Sequence, residues 1–406
     1  MSRTPGAISP NHQTIPRALA IALCGFMLIA GTLSIPNFGG QTPLPATVLL
    51  DIWIVCFMVC CLIWGRTEAW GMFLLVVGYA LTRIFPAVIT GAPLYDFAQA
   101  YRWVLYLMVF TLAVGRVWPS TRWILITSWL LIGMAFVKAV ATFLVLGPGQ
   151  RPTLLIENNF ELALFSGMIA VVYRYLGGKE RLLIILLLGG LTFMSGSRSG
   201  AIAFLILAVF ALSQARRVTL AMQYLGALAI VSVGFVTVLI FESRMAATGR
   251  IDRLRFFDVF LSETADWGLL QWLFGTMPIT PLTTGACFEL RYYEKLFSSV
   301  GDGSCYSVIF HAFNMRVVFD AGLVGLLLSL AISWYAMRKA GVANAVAVTL
   351  LGIAVTNGFS VSGLNNPYVA LPVILAITTA GVPATRLGSN PSAKSLTPRR
   401  PAHSAK

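Results

Sequence analysis

Of the three histidines in this sequence, His12 and His403 lie in polar tails, and only His311 falls among residues that can fold around it. Imidazole ordinarily titrates near neutrality, so a histidine at a surface mouth is suited to orient a hydroxyl or take its proton. Arg316 and Asp320 follow it closely. Further upstream, Gly196-Ser197-Arg198-Ser199-Gly200 sets a guanidinium in a tight break, with glycines for a sharp reversal and hydroxyls for hydrogen bonds. The central residue is Arg where a serine hydrolase needs its nucleophile, which excludes that elbow. The planar fork of arginine grips phosphate oxygens two at a time, so the chemistry on offer is anion binding beside a base. Arg151, Arg250 and Arg253 are further arginines in breaks, and Arg83, Arg102 and Lys138 sit inside apolar blocks.

The frame that must position these groups is a membrane frame. Hydrophobic residues make up 58% of the chain and charged residues 11%, against roughly 25% charged in soluble proteins. The apolar residues come in twelve blocks: 17–35, 46–64, 69–90, 97–118, 122–146, 160–176, 181–195, 199–214, 219–240, 316–337, 342–360 and 365–384. About 20 apolar residues cross a hydrocarbon core, so the expectation is an all-α polytopic protein of about twelve spans. The organisation expected is a tail (1–16), nine spans (17–240), a long loop (241–315), three spans (316–384) and a basic tail (385–406). The first block lacks a small-residue cleavage site and reads as a retained helix.

Orientation follows from the cations. Of the 29 Lys and Arg, twelve fall at the breaks and ends that an even span count places on one side, and five more lie in the C-terminal tail. The breaks 36–45, 91–96 and 361–366 hold none. The positive-inside rule then puts both termini in the cytoplasm and the long loop outside. The net charge of +14 is accounted for by this asymmetry and gives no reason for a nucleic-acid partner. A cation at mid-membrane costs about 2.5–3.5 kcal/mol, so Arg83, Arg102 and Lys138 need partners or a task. All three fall toward the outer side. They either pair with Asp51, Asp96 or Glu161 and snorkel, or they join a shared cationic pocket for an anionic substrate.

Within the loop, 250–261 suits an amphipathic helix at the interface. Cys287 and Cys305 both lie there, and a bond between them would add roughly 3 kcal/mol in an oxidising compartment. No Cys/His grouping has metal-ligand spacing, so neither a metal nor another cofactor is expected.

The run from His311 to Leu326, with Asp320 and Gly322-Leu323-Val324-Gly325-Leu326, resembles the signature of the O-antigen ligase and polymerase superfamily. It departs in carrying Ala312 where the family commonly has Asn. Arg151 to Glu161 with Asn158 and Asn159, Ser197-Arg198-Ser199, and Gly249-Arg250 followed by Leu273-Phe274-Gly275 resemble three further family segments in the same order. Arg253 competes with Arg250 for that position. The resemblance implies a GT-C-like fold in the bacterial inner membrane and metal-independent glycosyl transfer on its periplasmic face. The donor would be a glycan on undecaprenyl diphosphate, and the acceptor a glycan or lipid A–core. Membrane lipid and polysaccharide-export proteins would be its other partners. His311, Arg198 and Arg250 would act in catalysis. Arg151, Arg253, Arg102, Arg83, Lys138, Arg316 and Asp320 would bind substrate. Loop acids such as Asp258 and Glu263 could share the base role. A polymerase is favoured over a ligase because no dedicated lipid A–core site is visible. A transporter of lipid-linked sugars is the alternative class, although no internal repeat is seen.

Overall fold

The computed structural model describes residues 13–65, 67–147, 150–214 and 252–382. The tails 1–12 and 383–406, the block 219–240 and the start of the loop with Gly249 and Arg250 lie outside the described residues. The protein is mostly helical, at 74%. In order come α1 (Arg17–Ser34), α2 (Ala46–Ile63), α3 (Trp70–Ile89), α4 (Leu94–Ala113), α5 (Thr121–Leu146), α6 (Asn158–Val172), α7 (Gly178–Ser195) and α8 (Arg198–Ser213). The loop holds α9 (Asp252–Glu263), α10 (Leu269–Phe274) and α11 (Thr284–Glu289). Then come α12 (Phe313–Lys339), α13 (Asn344–Gly358) and α14 (Pro367–Thr379).

Five of these, α1, α2, α3, α5 and α12, are long and apolar enough to cross a membrane, which is the build of an α-helical membrane protein. Helices α8, α13 and α14 are apolar but shorter. The apolar block 97–118 becomes a helix ending at Ala113, because Gly115 turns the chain at φ 85°. Past that turn, Arg116–Val117 forms a two-residue parallel pair, β2, with Gln13–Thr14, β1. These are the only strands among the described residues, a small departure from the expected all-α fold.

Burial sorts the helices. Every residue of α14 is buried, as suits a helix that is apolar all round. Helix α6 packs on it where Gly167 lies so close to Pro372 that an added Cβ would come within 2.7 Å of the ring. In contrast, α1, α2 and α3 bury one side and leave Ile21, Val48 and Leu74 among those facing out.

The breaks between helices hydrogen-bond in two separate groups. At one end, Thr67 Oγ1 donates to the Thr111 carbonyl (2.6 Å), and Arg116 donates to the carbonyls of Cys61 and Gly65 (3.0 Å each). Trp118 N reaches the Thr378 carbonyl (2.8 Å) and Arg174 the Thr379 carbonyl (2.6 Å). Arg116 and Arg174 thereby satisfy last-turn carbonyls of α2 and α14, where the helix dipole favours a cation. At the other end, Thr42 N donates to the Leu154 carbonyl (3.2 Å), and Phe313 N donates to the Val361 carbonyl (2.9 Å). The Asp96 carboxylate accepts from Ser298 Oγ (2.8 Å) and Ser299 N (3.1 Å), fixing the loop to the start of α4.

The loop has its own small core. Phe256, Val259 and Phe260, at i, i+3 and i+4 on α9, bury against Leu282, Leu290, Ile309 and Phe310. Cys287 and Cys305 are joined by a disulfide inside it. The exposed side of α9 carries Arg255, Asp258 and Ser262 beside an apolar stripe of Leu254, Phe257 and Leu261.

Candidate functional site

The charged residues expected to form one pocket fall into three sets of contacts. The first centres on α12, which breaks at Gly322 (φ 68°, ψ −177°). A broken helix frees carbonyls that a membrane interior cannot hydrate, so protein groups must take them. Thr276 donates to the Phe319 carbonyl from N (2.8 Å) and Oγ1 (3.1 Å). Arg83 Nη1 and Tyr101 OH donate to the Asp320 carbonyl, each at 3.3 Å, and Arg83 Nη2 reaches the Phe274 carbonyl at 3.4 Å. Arg83 therefore braces the helix break.

The Asp320 side chain is buried and accepts from Ser307 Oγ at 2.6 Å, while its Oδ1 has no hydrogen-bond partner among the described residues. One turn earlier, Arg316 is 3% exposed, and its Nε and Nη2 likewise lack partners among the described residues. A buried guanidinium with orphaned N–H groups is costly unless an opposite charge or acceptor completes it. Arg102 is differently occupied: it pairs with Asp51 (Nη1 to Oδ2, 2.9 Å), whose other oxygen accepts from Tyr106 OH at 2.5 Å.

His311 ends the short turn Ser307–Phe310 that carries Ser307. Its backbone holds φ 55°, a positive value uncommon outside glycine, where Asn, Asp and His are the most enriched of the other residues. Its ring lies edge-on to Phe256 (5.9 Å) and Tyr293 (6.2 Å). Thus α9, the 3-10 segment 291–296 and the start of α12 together fix the histidine.

The second set surrounds Arg198, the first residue of α8. The Asn159 carboxamide oxygen accepts from Ser197 Oγ (2.6 Å) and Ser199 Oγ (2.8 Å), one on each side of the arginine. Ser197 also caps the helix, accepting from Gly200 N at 3.1 Å. An added Cβ at Gly200 would lie 2.2 Å from Leu162 Cδ1, so any larger residue would make Leu162 shift. Asn357 Nδ2 donates to the Asn159 carbonyl (3.1 Å), and Asn314 Nδ2 to the Val355 carbonyl (3.2 Å). These bonds tie α6, α8, α13 and the start of α12 at the end where His311 lies.

The third set holds Lys138. Its ammonium donates to Ser34 Oγ (2.5 Å), the Gly40 carbonyl (2.7 Å) and the Thr153 carbonyl (2.5 Å), which accounts for all three protons. Glu161 works beside it, accepting from the backbone N–H groups of Leu154 (2.8 Å) and Leu155 (3.1 Å). Together they order 151–157, leaving Arg151 exposed. Lys138→Met keeps the stem and removes the charge, stranding three acceptors. The expected loss is roughly 3 kcal/mol, read as a lower unfolding temperature in detergent.

Arg250 lies outside the described residues, and of Arg253 only its place in the first turn of α9 is described. Two loop acids are bound up locally. Glu263 accepts from the Thr283 hydroxyl and from Thr283 N (3.2 Å). Asp302 accepts from Ser304 Oγ (2.6 Å) and N (2.9 Å), which hold its carboxyl below the usual range. Ser307, Tyr101 and Asn357 were not anticipated. Asn357 carried a signal, an amide inside an apolar block, whereas a loop serine carries none. No protein-family model matches the chain, and no curated protein matches it by sequence.

Proposed function

We propose that the chain is a twelve-span inner-membrane glycosyltransferase of GT-C-like build, with both termini cytoplasmic. It transfers a glycan from undecaprenyl diphosphate to an acceptor hydroxyl on the periplasmic face, as a polymerase of repeat-unit polysaccharide. The observation that carries this reading is the clamp on Arg198. Asn159 holds the serines on both sides of the arginine at the positive end of α8, where a diphosphate gains from the fork and the helix dipole together. Further support comes from the way motif segments distant in sequence meet: 273–275 packs on Gly322, and Asn159 meets 197–199. The grouping of breaks into two ends also fits alternating spans.

In this mechanism Arg198, aided by Arg250 and Arg151, stabilises charge growing on the departing lipid diphosphate. His311 orients or deprotonates the acceptor hydroxyl. Arg316, with orphaned N–H groups, is a further anion contact. Arg83, Arg102 and Lys138 support the site through the backbone and Asp51.

The test is glycan chain length on gels from a deletion strain carrying or lacking the gene. Loss of long chains with single repeats still attached marks a polymerase. Long chains left on the carrier lipid mark a ligase acting on lipid A–core. Unaltered glycan in the deletion strain sinks both readings.

A further inference from the structure

The loop that the sequence places wholly outside the membrane contains a segment that the packing carries back to membrane depth. Helix α10 and the turn after it cross α12 at its break. Gly275 (φ 74°) lies so near that an added Cβ would stand 2.5 Å from Ala321 N, and one on Gly322 would stand 2.1 Å from the Leu273 carbonyl oxygen.

The depth of that crossing can be read from α3, one of the five helices apolar and long enough to cross a membrane. Arg83 of α3 donates to the Phe274 carbonyl, and its guanidinium lies 5.3 Å from the Tyr79 ring centroid, one turn back along α3. The arginine therefore points away from the end of α3 nearest the loop. Ile89, the last residue of α3, lies six positions beyond Arg83, about 9 Å along the helix axis. Over those positions Phe85, Val88 and Ile89 remain exposed, so the apolar belt of α3 continues past the level of Phe274.

The segment itself is built for that setting. None of the six residues of α10 is buried, and Leu269 and Leu270 are 74% and 72% exposed, with Phe274 and Met277 also open. At its ends three backbone N–H groups find acceptors within the protein. Gly268 N donates to Gln271 Oε1 (2.9 Å), Gly275 N to the Gln271 carbonyl (2.7 Å) and Thr276 N to the Phe319 carbonyl (2.8 Å). Irregular backbone is tolerated among lipid chains only when its hydrogen bonds are met within the protein.

We propose that residues 269–277 form a re-entrant lip that dips into the outer leaflet and presents Leu269, Leu270, Phe274 and Met277 to lipid acyl chains, continuous with the exposed side of α3. This surface does not depend on the glycosyltransferase reading. The experiment uses the full chain in lipid nanodiscs, with Cys24, Cys56, Cys60 and Cys61 changed to alanine and the Cys287–Cys305 disulfide kept. A nitroxide is attached at Leu270→Cys, with Phe85→Cys as the lipid reference and Tyr292→Cys as the solvent reference. The expected result is that oxygen relaxes the 270 label more than a water-soluble nickel complex does, the order found at 85 and the reverse of that at 292. Stronger relaxation by the nickel complex at 270 overturns the proposal. Met277→Cys is read in the same way if Leu270→Cys does not accumulate.

Discussion

Substituting Arg198→Ala and His311→Asn together is expected to leave a folded, membrane-inserted protein that no longer transfers glycan. Removing a group that stabilises transition-state charge costs about 10²–10³ in rate. Losing a positioned base costs about 10²–10⁴. Because the two would act on one transition state, the double variant should fall by at least about 10³-fold, but less than the product of the single losses. Asparagine is the informative replacement at 311 because it tolerates the positive φ of 55° held there. Both replacements remove the ring contacts with Phe256 and Tyr293, but alanine would add backbone strain at that φ and so confound folding with chemistry. At 198, lysine keeps the charge but loses the fork, so Arg198→Lys should retain part of the activity that Arg198→Ala loses. The readout is transfer from a purified lipid-linked donor, beside the unfolding temperature of each variant. Wild-type transfer by the double variant would remove both residues from the site. An unfolding temperature depressed as far as that of Lys138→Met would assign them structural roles.

What the sequence could reveal depended on whether the signal was local. Each of the eleven apolar blocks among the described residues has a helix on it, because a long apolar run that shuns water must satisfy its own backbone. The ends were less visible. Val114, Val117 and Trp118 are apolar enough to extend a block, yet Gly115 at φ 85° turns the chain before them. Hydropathy does not register φ. The polar partnerships were legible only as a short list of candidates. Asp51 was a named partner for Arg102, and the ion pair forms. Asp96 and Glu161 instead hold backbone N–H groups in the loop and at 154–155. Lys138 takes acceptors near residues 34–40, about a hundred positions away, and no periodicity links those stretches. The family-like segments behave differently: Asn159, which only the resemblance singles out, and the 196–200 turn meet in one hydrogen-bonded set. Their joint role follows from geometry that neither segment carries alone.

The glycine run of α12 leads to the second large effect. Read as sequence, Gly322-Leu-Val-Gly325 is compatible with an unbroken helix, and glycine there would cost only about 1 kcal/mol relative to alanine. The structure reverses that preference. At φ 68° alanine is strained by about 1–3 kcal/mol. In addition, its Cβ would stand 2.1 Å from the Leu273 oxygen and 2.4 Å from Phe274 N, backbone atoms with no rotamer to yield. Gly322→Ala is therefore expected to cost more than about 4 kcal/mol in the native arrangement. The chain has one escape. If α12 straightens, the Phe319 and Asp320 carbonyls can recover helical partners, while Thr276, Arg83 and Tyr101 lose theirs and α10 is displaced. Both routes predict the same signature: faster amide exchange across 269–277 and a loop that proteases cleave more readily. Gly275→Ala should produce it too, since its Cβ would meet Ala321 N at 2.5 Å. Arg83→Leu removes two long hydrogen bonds, of 3.3 and 3.4 Å, and the guanidinium's contact with the Tyr79 ring, and should be milder, roughly 1–3 kcal/mol. A Gly322→Ala protein with wild-type exchange at 269–277 and an unchanged unfolding temperature would mean that the two backbones do not meet as described. The ranking matters because Ser307, which bonds Asp320 on one side of the break, stands four residues before His311. Straightening α12 would shift the turn that holds the histidine, so loss of transfer in Gly322→Ala should track the exchange at 269–277.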